Sequence, residues 1–402
     1  MILAYPMPPG EEIFERISKL KEKMKQHKID SCLIVQNVDL FYFSGTMQNG
    51  YLFIPLEGEP ILAIKRYAPR AIIESPIKKV REIGSVKDLS SVIKEVVDEI
   101  PKKIGIELDV FPVNNYLFLK QILFPSEIVD SSPLIKDIRK IKSAYEISMI
   151  EGASEIAKKV YELAEKTLSP NITEMEFAAF LEAHARKWGH QGYLRMRSLN
   201  SEALSWHILS GKSGATLSYV DAPAGGMGTS PAFPVGAGFK KIKENEPILV
   251  DFITCYGGYH TDQSRIFSVG RLNKKFIDAY EATLKIQDAI LKEAKPGVSC
   301  ETLYEIGVNL ADKLGYKNNF MGPRDYQVNF IGHGVGLEIN EFPFIAKGHV
   351  YPLEAGMTFA LEPKMIFPDE GAIGIENTIL ITDDGYKKLT DIKEEIIEVK
   401  KE

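Results

Sequence analysis

Apolar residues Ile13, Ile17, Leu20 and Met24 recur every three or four positions, so the pattern predicts an amphipathic helix over 11–27. The period then shortens. SCLIV (31–35), YLFIPL (51–56) and ILAI (61–64) are apolar runs separated by turn residues, and YLFIPL-EGEP-ILAI reads as a β-hairpin. Residues 87–100 return to a helical pattern, and GIELDV (105–110) reads as a strand. Ser131, Ser132 and Pro133 interrupt the pattern. Beyond them a long charged helix is predicted from about Lys136 to about Thr167, with Ile138, Ile141, Tyr145 and Met149 on one stripe. The chain is therefore expected to divide into residues 1–133, a small mixed α/β domain, and residues 134–402.

In the second part, Thr173 and Glu176 form a capping-box pattern for a helix reaching about Trp188. Residues 205–247 are rich in Gly, Pro and Ser; a run of this length is either functional or an unstructured insertion. Strands follow, then helices from about Lys274 to Lys295 and about Cys300 to Leu314, then strands to the end.

Two of the predicted hairpins place acids inside apolar runs. In PILVDFITCYGGYHTDQSRIFSVG (247–270), Gly257-Gly258 supplies the positive backbone angles of a two-residue turn. Such a turn sets Tyr256 opposite Tyr259, Ile253 opposite Asp262 and Asp251 opposite Ser264. Asp251 and Asp262 then lie on one face as diagonal neighbours, roughly 7–8 Å apart at the backbone. In MTFALEPKMIFPDEGAIGIENTILIT (357–382), a three-residue loop Asp369-Glu370-Gly371 sets Glu362 opposite Thr378, with Glu376 on the same side. Like charges gathered among apolar residues repel, by about 4 kcal/mol for a pair at 4 Å with an effective dielectric near 20. A shared proton, a basic residue or a metal ion must compensate them. His333, in FIGHGVGLEINEFP between Gly332 and Gly334, is the nearest candidate to join them. Glycines there leave room for tight packing or for a bulky neighbour. Four carboxylates and an imidazole suit Mn²⁺, Co²⁺, Fe²⁺ or Zn²⁺. Two such ions roughly 3.5–4 Å apart hold a bridging hydroxide and polarise a carbonyl, which is the chemistry of amide hydrolysis.

Composition changes this picture by exclusion. A formal net charge of −6 argues against a nucleic-acid-binding surface. No apolar run approaches the roughly 20 residues of a membrane span. The opening MILAYPMPPGEEIFER has no basic segment followed by a long apolar one, so no signal peptide is expected. Three widely spaced cysteines, Cys32, Cys255 and Cys300, make no disulfide framework, and a cytoplasmic setting is the expectation.

Taken in order, Asp251, Asp262, His333, Glu362 and Glu376, set in VDF, TDQSR, GHGVGLE, LEP and GIENT, resemble the methionine aminopeptidase, prolidase and aminopeptidase P superfamily with the pita-bread fold. NVDLFYFSG near 40 and IRKIKSAYEISMI near 140 resemble the N-terminal domain and linker helix of its prolidase and creatinase branch. The resemblance implies an α/β (α+β) protein whose C-terminal domain has a curved, mainly antiparallel sheet covered by helices. It implies a homodimeric Xaa-Pro dipeptidase-like hydrolase using two divalent ions, Mn²⁺ or Co²⁺ first, with a metal-bridging hydroxide as nucleophile. Asp251 would chelate one ion, Asp262 and Glu376 would bridge, and His333 and Glu362 would complete the other. Glu362 would also carry the proton to the leaving nitrogen, making it and His333 the catalytic pair.

Three positions depart from that branch. Asn340 stands where a second His is usual, Gly374 where an Arg is usual, and no His occurs between His207 and His260. Asn340 donates a hydrogen bond but cannot become cationic, so it is the candidate substrate-binding residue of an altered pocket. Other C–N bonds, as in creatinase or cyclic amidines, and a non-catalytic binding role are the alternatives. Cys255 and His260 are expected as packing or rim residues, His184 and His190 at the surface. Arg195 and Arg197 either meet an anionic substrate or face water.

Overall fold

The computed structural model describes residues 5–200 and 206–400. Ile13, Ile17, Leu20 and Met24 are the buried stripe of the helix Gly10–His27, which ends at Lys28 in the left-handed conformation. The helix belongs to a first unit that runs to Arg139 and takes in the segment from Arg197. Its six-stranded sheet has the order Lys79–Ile83, Ile61–Lys65, Gly50–Pro55, Ser31–Ile34, Lys103–Ile106, Glu127–Asp130. The expected hairpin is present, with Tyr51 opposite Ala63.

Three short helices, Asn37–Ser44, Ala68–Glu74 and Val113–Ile122, stand where no helical period was legible. Asn37–Ser44 is apolar on nearly every side, so it carries no stripe, and its start is fixed by the Gln36 side chain accepting the Asp39 N–H. Of 87–100, only a 3₁₀ turn at Val86–Asp88 and the helix Leu89–Ile93 are regular. The strand expected over 105–110 is Lys103–Ile106; it stops before Glu107, whose carboxylate accepts the N–H groups of Val35 and Gln36. Arg197 neither faces water nor stands free for a substrate: its side chain is 6% exposed and bonds Asp39 and Asp109.

The second unit runs from Lys140 to Met196 and through the remaining residues to the carboxyl end. The helix expected from 136 to 167 is two helices, Ser132–Arg139 and Ala144–Thr167. Between them Ile141 bridges Met357, the Lys142 N–H donates to Gly356, and Ser143 opens the second helix with a capping box closed by Glu146. Backbone pairing thus replaces one turn of helix. Thr173 and Glu176 cap the helix Glu174–Lys187 as expected.

Four strands in the order Ile397–Val399, Ser264–Val269, Ile248–Phe252, Trp206–Ser210 form one sheet. Helices Ala144–Thr167 and Glu174–Lys187 cover it, burying Val160, Tyr161, Phe177 and Leu181 against Val250, Phe252 and Phe267. Five strands in the order Ile339–Ala346, Phe330–Val335, Thr358–Leu361, Asn377–Ile381, Tyr386–Lys388 form another. Helices Lys274–Glu293 and Cys300–Lys313 pack there, with Ile286, Ile290 and Leu303 against Ile331, Phe359 and Ile379. This is the pita-bread arrangement: two helix-covered, mostly antiparallel sheets, each feeding an acid-bearing hairpin toward the centre.

The Gly/Pro/Ser-rich segment is held by a carboxylate. Glu174, fully buried, accepts from the Ser210 N–H and hydroxyl, the Ser213 hydroxyl and the Gly238 N–H. Those donors offset its desolvation in part, yet burial still leaves its pKa raised.

Candidate metal centre

The first acid hairpin has the expected register: Tyr259 faces Tyr256, His260 faces Cys255, and Ser264 faces Asp251. Asp262 sits in a break in the ladder, where the Thr378 hydroxyl receives its N–H and donates to its carbonyl. The second hairpin is shifted. Phe367 faces Gly371 and Lys364 faces Gly374, so the loop is Pro368-Asp369-Glu370; Asp369 has φ of 61°, and Gly371, with φ of 148°, opens the return strand. Leu361 faces Asn377 rather than Ile379. The shift is two residues, and side chains alternate with a period of two, so Glu362 and Glu376 still share a face. Their backbones are tied to neighbouring segments: the Glu362 N–H donates to Ile331, and Glu376 exchanges backbone bonds with Ser264.

His333 comes from the strand Phe330–Val335, whose glycines serve close packing. A Cβ at Gly332 would lie 2.5 Å from the Ala360 carbonyl oxygen, and one at Gly334 would lie 2.5 Å from that of Glu341. His333 Nε2 stands 3.7 Å from Asp262 Oδ2 and 3.6 Å from Glu362 Oε1. Asp262, His333 and Glu376 each offer a donor atom within 4.8 Å of the others. Asp262 Oδ1 is buried and has no hydrogen-bond partner. Two carboxylates, an imidazole and an unused buried oxygen fit one divalent ion.

Beside that point lies a residue the sequence reading passed over. Lys364, 3% exposed, sends its Nζ to Glu362 Oε2 at 2.7 Å, Glu376 Oε2 at 2.9 Å and Asp251 Oδ2 at 3.3 Å. The signal was available: Lys364 stands in the apolar run FALEPKMIF, two residues after Glu362 and therefore on its face. Its side chain passes over Gly374, where a Cβ would lie 2.5 Å from Lys364 Cγ.

Burial and then the charge of Asp251 push the Asp262 pKa well above the ordinary carboxylate value; burial and then Asp262 do the same for Glu376. Burial works against the charged form of Lys364, but Glu362, Glu376 and Asp251 outweigh it and hold the ammonium well above its usual pKa. Burial lowers the pKa of His333 and keeps it neutral, as a ligand must be.

A cavity of about 600 Å³ opens beside His333; Ser218, Asp221, Asn340, Phe344 and His349 are among its lining residues. Asn340 is exposed at its wall and has φ of 69°, a backbone state in which Asn is favoured. His349 and His207 escaped the sequence reading. His349 Nδ1 lies 3.1 Å from the Tyr351 hydroxyl. His207 pairs across strands with Asp251, and its buried Nε2 has no hydrogen-bond partner.

His260 is a packing residue, with Nδ1 2.8 Å from the Gly336 carbonyl. His190, expected at the surface, is buried: its Nδ1 accepts the Cys255 N–H, because the chain turns inward after the helix Glu174–Lys187. Burial brings both imidazoles down to about 4 from an ordinary 6.5. Depressed values mean that folding favours the neutral form. Their contribution to stability is complete above the unfolded pKa and is lost as the pH falls through the folded one. The melting temperature is therefore expected to drop between pH 6.5 and pH 4, and His190→Gln with His260→Gln should reduce the slope. A flat profile in wild-type protein over that interval would contradict the assignment.

Residues 148–383 match the model of metallopeptidase family M24, and residues 16–141 match the creatinase/prolidase N-terminal domain. The chain is 30% identical to an Xaa-Pro dipeptidase of Pyrococcus furiosus over 95% of its own length and 99% of the relative's. The crystal structure of the prolidase from Pyrococcus horikoshii superposes with a TM-score of 0.80 at 29% identity, covering 95% of this chain and 99% of that one. A prolidase structure from Pyrococcus furiosus gives a TM-score of 0.75 at 27% identity, with 93% and 99% covered. The order of acids, the buried donor set and these likenesses agree: the chain belongs to metallopeptidase family M24, with a creatinase/prolidase N-terminal domain, and is a metal-dependent hydrolase.

Proposed function

We propose that the protein hydrolyses the peptide bond preceding proline in short peptides, an Xaa-Pro dipeptidase-like activity, with Asp251, Asp262, His333, Glu362 and Glu376 as the ligands of two divalent ions, Mn²⁺ or Co²⁺ first. The observation that carries this reading is the convergence of Asp262, His333, Glu362 and Glu376 at one buried point, with Asp251 joined to them through Lys364. When bound, divalent ions supply Lewis acidity toward the scissile carbonyl and lower the pKa of water. The rest falls to the chain. Glu362, between His333 and Lys364, receives the proton of the attacking water and returns it to the leaving nitrogen. Asn340, at the cavity wall, orients the substrate by a hydrogen bond. The relatives named Xaa-Pro dipeptidase support the substrate class. A cytoplasmic homodimer completes the proposal, and no described helix is long and apolar enough to cross a membrane.

A second reading, hydrolysis of a different C–N bond, is favoured by Asn340 and Gly374, which stand where a His and an Arg are usual in the prolidase branch. One experiment separates them: a hydrolysis panel with Mn²⁺ or Co²⁺ over Xaa-Pro dipeptides, longer Xaa-Pro peptides, N-terminal Met peptides and amidines. Xaa-Pro dipeptides are expected to be cleaved best, and cleavage to cease on exhaustive chelation. Turnover of amidines alone would replace the dipeptidase reading with the second.

A further inference from the structure

Lys347 and His349 lie outside the segments that carry the family resemblance, and the chemistry above does not use them. Both line the cavity of about 600 Å³ that opens beside His333. Among the described residues lining it, the basic groups are Lys347, His349 and His333, and burial keeps His333 neutral. Lys347 is exposed, whereas His349 is half-buried and firmly placed. It follows the strand Ile339–Ala346. Its N–H donates to the Ala346 carbonyl, and its carbonyl accepts the Glu301 N–H at the start of the helix Cys300–Lys313. The Gly348 N–H donates to the Glu301 carboxylate at 2.7 Å. The His349 ring centroid lies 5.5 Å from those of both Phe344 and Tyr351.

The ring is also fixed in its hydrogen bonding. The Tyr351 oxygen accepts the Phe344 N–H at 2.8 Å, and His349 Nδ1 lies 3.1 Å from the same hydroxyl. A hydroxyl has one proton to give, and a neutral imidazole that accepts at one nitrogen carries its proton on the other. The pairing that leaves no donor idle therefore makes Nδ1 an acceptor and Nε2 a donor. Resting on the Xaa-Pro reading above, we infer that His349 reads the free carboxylate at the proline end of the substrate, with Nε2–H as the donor and Lys347 adding positive charge beside it. In a dipeptide that carboxylate lies one residue from the bond that is cut. Moved from water into a cavity it loses hydration, and a donor there must replace what is lost. Asn340 offers only an amide. A histidine already oriented by Tyr351 binds without first being ordered, so less of its interaction is spent on fixing the side chain.

The test compares Ala-Pro with Ala-Pro-amide as substrates of the Mn²⁺-loaded protein in wild type, His349→Phe and His349→Gln. Wild-type protein is expected to have a KM for the acid about tenfold or more below that for the amide. His349→Phe keeps a flat ring against Phe344 and Tyr351 and removes the donor. Its KM for the acid should rise to that for the amide, while kcat for the acid falls by less than about threefold. His349→Gln retains a donor and should recover part of the preference, which a purely structural role would not predict. A second readout needs no turnover: calorimetry should show wild type binding L-proline more tightly than L-prolinamide, and His349→Phe binding them alike. If the Phe variant does not fold, Lys347→Met reads the same subsite through a rise of about two- to threefold in KM for the acid. Hydrolysis by wild type without preference for the acid, or a preference undiminished in His349→Phe, would overturn the assignment and leave the Xaa-Pro reading intact. Hydrolysis of neither substrate by wild type would overturn both.

Discussion

Asp262→Asn is expected to lower hydrolysis of the best panel substrate by about a thousandfold or more. Metal content measured at limiting Mn²⁺ should fall with it. The substitution keeps the shape of the side chain and removes one charge from the donor set of Asp262, His333 and Glu376. Because Asp262 is buried and its pKa is raised, the metal-free fold already favours the uncharged form. Melting the metal-free variant beside metal-free wild type separates loss of a ligand from loss of the fold. Unchanged metal content would remove Asp262 from the ligand set.

The second large effect concerns stability. Arg265 is fully buried, and its guanidinium donates to the carbonyls of Ser264, Glu376, Ile392 and Lys393 and to Asn377 Oδ1. It ties the first acid hairpin to the backbone of Glu376 and to residues 392–393 near the carboxyl end. Arg265→Met leaves those oxygens without their donor, at a cost of about 3–5 kcal/mol. For a unit of this size that corresponds to a fall of about 10 °C in melting temperature. Thermal unfolding followed by circular dichroism reads it directly. A shift of less than about 2 °C would mean that water or rearranged donors replace the guanidinium.

The parts of the centre legible in the sequence were those set by short-range geometry. Gly257-Gly258 fixes the turn and, through it, the partners of Asp251 and Tyr256. The second hairpin was legible in face but not in register. Gly371 looked like the left-handed residue of the loop; it does keep a positive φ, but as the first residue of the return strand packed closely on Pro247 and Gly211, while Asp369 takes the left-handed place within the loop. Only tertiary contact distinguishes those two choices. Lys364 was missed because a lone lysine in a strand is usually read as an edge residue, and only the convergence of both hairpins shows its surroundings. His190 was placed outside because it follows a polar helix end, where nothing local announces a return to the core. The short helix Asn37–Ser44 lacked the one-sided pattern that a surface helix displays.

The lysine at the centre also bears on how its acids are held. Structural zinc domains fold only with their metal, since nothing else gathers the ligands. Here an ammonium supplied by the chain itself draws Asp251, Glu362 and Glu376 together. The like charges of these three acids are thereby compensated by the chain's own ammonium, without recourse to an ion.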